Sequence, residues 1–165
     1  MATGSPNHHA GLALALLSIG TLLLALRALS ADPPQGPSLA QKQIEYRQAL
    51  YTVMANNAGP LFAMANNKMP FDAAAFLKHA ERVSFIAAIL PEAFPAGSGS
   101  GAPTDALPKI WENRADFDQK MQTLGDKAAA LLMAARTSEL KQVQPAVAAL
   151  GDACKNCHEK YRKDE

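Results

Sequence analysis

Cysteine is scarce in this chain: of 165 residues only two are cysteines, Cys154 and Cys157, three positions apart. A pair that close encloses too small a loop to staple a fold, so a disulfide framework is excluded and a metal, redox or cofactor role comes forward. Aromatic residues make up 6% and β-branched residues are thin, which speaks against a sheet-rich core. Charged residues are 19% with a formal net charge of +1. Such a balance generates no overall field that would draw nucleic acid or acidic lipid, and no nucleic-acid partner is expected.

What the chain does have is alanine, leucine and glutamine, within an apolar fraction of 48%. These are good helix formers, and the length suits one domain with its own core. The first thirty or so residues stand apart. Met1 to His9 is polar, Ala10 to Leu26 is nearly all apolar, and Ala28-Leu29-Ser30-Ala31 offers small residues for cleavage. This pattern predicts a secretory signal peptide over 1–31, cut near Ala31. The leading residues hold two histidines and no Lys or Arg, so the alternative is an uncleaved N-terminal anchor. Either way the remainder is exported. Cleavage would leave 15 basic against 15 acidic residues and no stable membrane insertion.

Residues 32–37 hold three prolines and a glycine and read as a linker to a domain over 38–165. Four helices are expected there. The first follows Ser38 as N-cap, with Leu39, Ile44, Leu50, Val53 and Met54 near a 3.6-residue period. Gly59-Pro60 is expected to kink or break it, with Leu61, Phe62 and Met64 continuing toward Asn67. The second begins at Asp72, with Phe71 as a staple residue, and ends at Pro91 and Pro95. A Gly/Pro-rich loop spans 96–108. The third covers roughly Lys109 to Ala135, with Ile110, Trp111, Phe117, Met121, Leu124, Ala128, Leu131 and Leu132 inward. The fourth runs from near Ser138 to the C-terminus, with a local restart at Pro145 and room at Gly151 for something flat to approach. Four such helices predict an all-α, antiparallel up-down-up-down bundle.

The last helix carries Cys154-Lys155-Asn156-Cys157-His158, the C-x-x-C-H pattern of covalent haem attachment. Positions i and i+3 of a helix are neighbours, so two thiols there can reach the two vinyl groups on one edge of a macrocycle. His158 comes next and can turn its imidazole toward iron. A structural zinc site would need about four ligands, and downstream of residue 31 only Cys154, Cys157, His158 and His79 are at hand. A thiol redox motif would be expected in a βαβ context, which this chain lacks. One haem c per chain is therefore expected, held by Cys154 and Cys157, with His158 as axial ligand.

The chain resembles the class II cytochromes c, and the cytochrome c′ family most closely, over roughly Gln43 to Lys163. The carriers are Cys154-Lys155-Asn156-Cys157-His158-Glu159-Lys160-Tyr161-Arg162, Tyr46-Arg47-Gln48-Ala49-Leu50, and Lys109-Ile110-Trp111 followed by Phe117. The resemblance implies a periplasmic homodimer whose five-coordinate iron binds nitric oxide or carbon monoxide. In low-spin members a methionine four residues after the N-terminal arginine is the sixth ligand; here that position is Tyr51. By the resemblance Tyr51 covers the distal face, Arg47 pairs with a haem propionate, and Arg162 sits beside the proximal imidazole. A phenolate ligand from Tyr51 is the lesser alternative, as is a ligand from Met54; Met64, Met69, Met121 and Met133 rank below it as core filler. Lys155, Asn156 and Lys160 have no assignable role, and His79 reads as a surface residue.

Two functions follow from the resemblance. The first is gas binding with a capacity for electron transfer to an unidentified redox partner. The second is a six-coordinate class II cytochrome acting mainly as an electron carrier. An enzyme such as a peroxidase would want a distal acid–base residue, for which only His79 is available, so no enzymatic role is expected.

Overall fold

The structure is a computed structural model that describes Met1 and residues 36–163. The expected signal peptide beyond Met1, and residues 32–35 of the linker, lie outside the described residues. The described part is all-helical and forms a four-helix bundle. Its elements are α1 (Leu39–Ala65), α2 (Ala73–Ile89), a single turn α3 (Lys109–Glu112), α4 (Arg114–Ala135) and α5 (Leu140–Tyr161). Among the described residues, no helix is long and apolar enough to cross a membrane.

Local chemistry sets most of the boundaries. The Ser38 hydroxyl accepts the Gln41 N–H at 3.1 Å and starts α1. Asp72 caps α2 by accepting the Ala75 N–H at 3.0 Å. Phe71 packs on Phe76 with ring centroids 5.5 Å apart, joining the positions just before the cap and four into the helix, which is the staple geometry. At the other end of α1, Asn67 adopts φ 56°, a conformation asparagine tolerates, and Lys68 N–H closes on Ala63 O at 2.8 Å. Gln144 of α5 donates to Ala65 O at 2.9 Å, covering one of the carbonyls that the helix end leaves open.

Four expectations change. Gly59-Pro60 does not break α1, which runs through Pro60 to Ala65. A proline inside a helix costs about 3 kcal/mol. Here Leu61, Met64 and Ala65 beyond it are buried in the main hydrophobic core, and that packing outweighs the lost bond. Pro145 likewise lies within an uninterrupted α5. The third expected helix is instead divided at Asn113 (φ −121°, ψ 50°). Along α1, Leu39 and Val53 are exposed rather than inward.

The core is built by Phe76, Val83, Phe117, Leu131, Val143 and Leu150 with Leu61 of α1, all essentially inaccessible to water. Burying a side chain of this size stabilises the fold by roughly 1.5–3 kcal/mol. The long connection from α2 begins as a 3₁₀ turn over Leu90–Ala93. It ends pinned to the far end of α5: Leu107 N–H donates to Tyr161 O at 3.0 Å, and Lys163 N–H to Asp105 O at 2.9 Å. Gly101 lets this connection pass α1 closely. Its φ is +107°, and a Cβ there would lie 3.3 Å from that of Ala40.

Candidate functional site

Helix α5 brings Cys154, Cys157 and His158 onto adjacent positions near its C-terminal end. Both cysteines are free, half-buried thiols packed against the hydrophobic core. Burial pushes both thiols above their ordinary range, so they stay protonated at neutral pH. His158 is exposed at the helix surface, yet desolvation by its neighbours, and then the nearby Arg162 cation, lower its pKa. Its imidazole is thus kept neutral, the form in which a ring nitrogen can bind a metal. One turn earlier, Gly151 admits the edge of the Phe62 ring; a Cβ there would lie 3.2 Å from Phe62 Cε1. The flat group approaching Gly151 in this structure is therefore Phe62.

Helix α1 supplies the opposing wall. Leu50, Tyr51 and Met54 are half-buried and pack against the same core as the two cysteines. Burial drives the Tyr51 phenol well above its ordinary pKa. Cys157 and Cys154 add to that rise, while the cations of Arg47 and Arg162 oppose it. Tyr51 is therefore a neutral phenol, within electrostatic reach of both thiols and both arginines. Desolvation outweighs the two cations in setting this shift.

Arg47 is buried, 2% exposed. Its Nη1 donates to Ala93 O at 3.1 Å and Ser98 Oγ at 3.3 Å. Its Nη2 donates to Ser98 O at 3.1 Å and Thr104 Oγ1 at 3.2 Å. The guanidinium also lies over the rings of Phe94, at 4.9 Å, and Trp111, at 5.8 Å. These four bonds use the terminal N–H groups and leave the fifth, at Nε, for another acceptor. Desolvation lowers the pKa of Arg47, yet a guanidinium remains charged at any ordinary pH.

The other sequence candidates separate. Met64 and Met121 are buried core, and Met69 and Met133 are exposed. His79 is not a free surface residue: it is half-buried, with Nδ1 3.0 Å from Asn57 Oδ1, which also accepts from Arg82 at 3.3 Å. Lys160, without a role in the sequence, bonds Asp116 at 2.9 Å beside Tyr161. The clamp from Arg47 to the 93–104 connection was also missed. Its acceptors are two backbone carbonyls and two hydroxyls, 46 to 57 residues away, and carry no spacing signal. Among the described residues, no three His, Cys, Asp or Glu side chains gather as a metal-binding group.

A helical bundle with two free thiols and an imidazole on one helix face, and apolar residues opposite, fits a flat cofactor attached by two thioethers. The family model described as Cytochrome C′ matches residues 42–162. Cytochrome c-554 of Cereibacter sphaeroides is 40% identical over 152 residues, covering 90% of this chain and 96% of that protein. The solved cytochrome c prime from Shewanella frigidimarina is 42% identical, with a TM-score of 0.73, covering 81% of this chain and all of that one. A variant of cytochrome c prime from Alcaligenes xylosoxidans, solved as its nitric oxide complex, is 32% identical with a TM-score of 0.70, covering 76% of this chain and 97% of that one. The chain belongs to the cytochrome c′ family. It is a c-type cytochrome, and the cofactor of the family is covalently attached haem c.

Proposed function

We propose that this protein is an exported, periplasmic monohaem cytochrome with five-coordinate iron that binds nitric oxide or carbon monoxide and can also transfer electrons to a redox partner still to be identified. Residues 1–31 are its signal peptide, and 38–165 its haem-carrying bundle. Cys154 and Cys157 hold the haem by thioethers, and His158 is the axial ligand. Both thiols are protonated and half-buried side by side, and the imidazole is neutral, which suits those roles. When bound, the haem supplies an iron centre for diatomic ligands and one-electron chemistry.

The observation that carries the gas-binding reading is Tyr51. It stands where a methionine would supply a sixth ligand, and burial holds it as a neutral phenol. A packed aromatic ring gives steric cover without a soft sulfur donor. The nitric oxide complex of the Alcaligenes xylosoxidans relative supports the same choice of ligand. Arg47 would pair with a haem propionate through its remaining Nε–H, while its other four N–H groups hold the 93–104 connection. Arg162, already close enough to lower the pKa of His158, is the cation on the proximal side. A cation there cannot accept the imidazole N–H, so it does not raise ligand basicity as a carboxylate would.

The protein forms a homodimer through α1 and α2. Exposed Val53 and Phe85, with Leu50, Ile86 and Ile89, line a mainly apolar groove of about 460 Å³ between these helices, with Glu81 and Arg82 also in its lining. An optical spectrum of the reduced protein, with and without carbon monoxide, tests the coordination. A high-spin spectrum that shifts on adding the gas is expected. A low-spin spectrum with no added ligand would favour the electron-carrier role instead.

A further inference from the structure

The ring of Phe94 is almost fully buried, at 2% exposure, and contacts both Arg47 and Tyr51 of α1. It meets Tyr51 in an edge-to-face arrangement, with ring centroids 6.4 Å apart and planes at 76°. Its face lies under the Arg47 guanidinium at 4.9 Å. Arg47 and Tyr51 are four residues apart on α1, so both project from the same side of the helix. Arg47 also grips the chain on either side of Phe94, through Ala93 O before it and Ser98 and Thr104 after it. Behind Phe94 stands Phe117, with centroids 4.8 Å apart. Phe94 is thus packed against Phe117 and the Arg47 guanidinium as well as Tyr51.

We propose that Phe94, seated by Arg47, is a positioning residue for the distal cover: it sets how readily the Tyr51 ring yields to an incoming diatomic ligand. This rests on the reading of Tyr51 as that cover. A ring held edge-on by a second, immobile ring must break that contact to swing aside. The same ring beside a smaller side chain moves into the space left. Arg47 thus acts on ligand entry through the connection it clamps, in addition to any contact with the haem.

The test is a double-mutant cycle on the haem-loaded protein, read as the association rate of carbon monoxide after flash photolysis. Phe94→Val is expected to speed association roughly three- to tenfold, the range that one aromatic pair accounts for. In a Tyr51→Ala background the same substitution should have almost no effect, because the ring it held is gone. Ser98→Ala combined with Thr104→Val removes two of the acceptors of Arg47 without touching Tyr51. That pair should speed association in the same direction by a smaller factor, again only while Tyr51 is present, and should raise hydrogen exchange across residues 94–106. It also serves if Phe94→Val fails to fold.

An acceleration that persists undiminished in the Tyr51→Ala background would overturn the proposal, since Phe94 would then be acting on the ligand directly. No acceleration from either the Phe94 or the Ser98/Thr104 change, while Tyr51→Ala alone speeds binding, would overturn it and leave the cover intact. No effect of Tyr51→Ala itself would remove both.

Discussion

Tyr161 donates its phenolic O–H to Asp116 Oδ2 at 2.5 Å, and Lys160 Nζ reaches the same oxygen at 2.9 Å. The Tyr161 ring is buried and stacks edge-on against Phe117, with centroids 5.3 Å apart. This arrangement ties the last turn of α5, three residues beyond His158, to the first turn of α4. The bonds from Tyr161 and then Lys160 hold the Asp116 carboxyl below its ordinary pKa.

Stability should therefore fall on acidification. A carboxyl with a depressed folded-state pKa binds fewer protons folded than unfolded, so its contribution is present above the unfolded value near 4 and is lost as pH drops through the folded one. Tyr161→Phe should shift the Asp116 pKa back toward normal and flatten that acid limb. Urea denaturation from pH 6 to pH 2 reads the difference. Identical pH slopes in the two proteins would show that the pair does not contribute in this way.

Colour should remain with the protein on acid–acetone extraction. Cys154→Ala or Cys157→Ala should weaken retention by removing one thioether each. His158→Ala should keep the covalent haem but alter its spectrum, because the axial nitrogen is gone. Free extraction of haem from the unsubstituted protein is the result that defeats this assignment.

Tyr51→Ala should tighten carbon monoxide binding by roughly one to two decades, since moving a packed aromatic costs on the order of 1–3 kcal/mol. Equilibrium titration with the gas measures it. Tyr51→Met should bring a thioether to the same place and give a low-spin spectrum. An unchanged affinity in the alanine variant argues for an iron that nothing covers.

Sedimentation of the haem-loaded protein at micromolar concentration should give a dimer. Phe85→Asp places a charge in the α1–α2 groove, where the ring is now 66% exposed, and should leave a monomer with unaltered haem spectrum. A monomer in the unsubstituted protein rejects the dimer.

Much of the chain was legible in its sequence because the relevant interactions are short-range. The spacing of Cys154, Cys157 and His158 places them together on any helix, since a helix repeats every 3.6 residues. Ser38, Asp72 and Phe71 act within five residues of themselves, so their capping and staple roles follow from position alone. Arg47 and Tyr51 share a face of α1 for the same reason. Where the reading failed, a distant contact overrode a local preference. Pro60 stays helical because Leu61 and Met64 are buried in the core shared with the other helices, while the backbone at Asn113 interrupts what periodicity alone would carry from Lys109 to Ala135.

What the tertiary structure alone decided is which groups surround those residues. Arg47 finds acceptors 46 to 57 positions away, Phe94 lands against Tyr51, and Asp116 meets Tyr161 across 45 residues. Serine, threonine and backbone carbonyls are common everywhere, so no pattern marks the ones that Arg47 will meet. The desolvation that keeps Tyr51 a neutral phenol likewise depends on the packing of separate elements around it. Helical spacing is a property of consecutive residues, whereas burial and the company of a charge are properties of the packed whole.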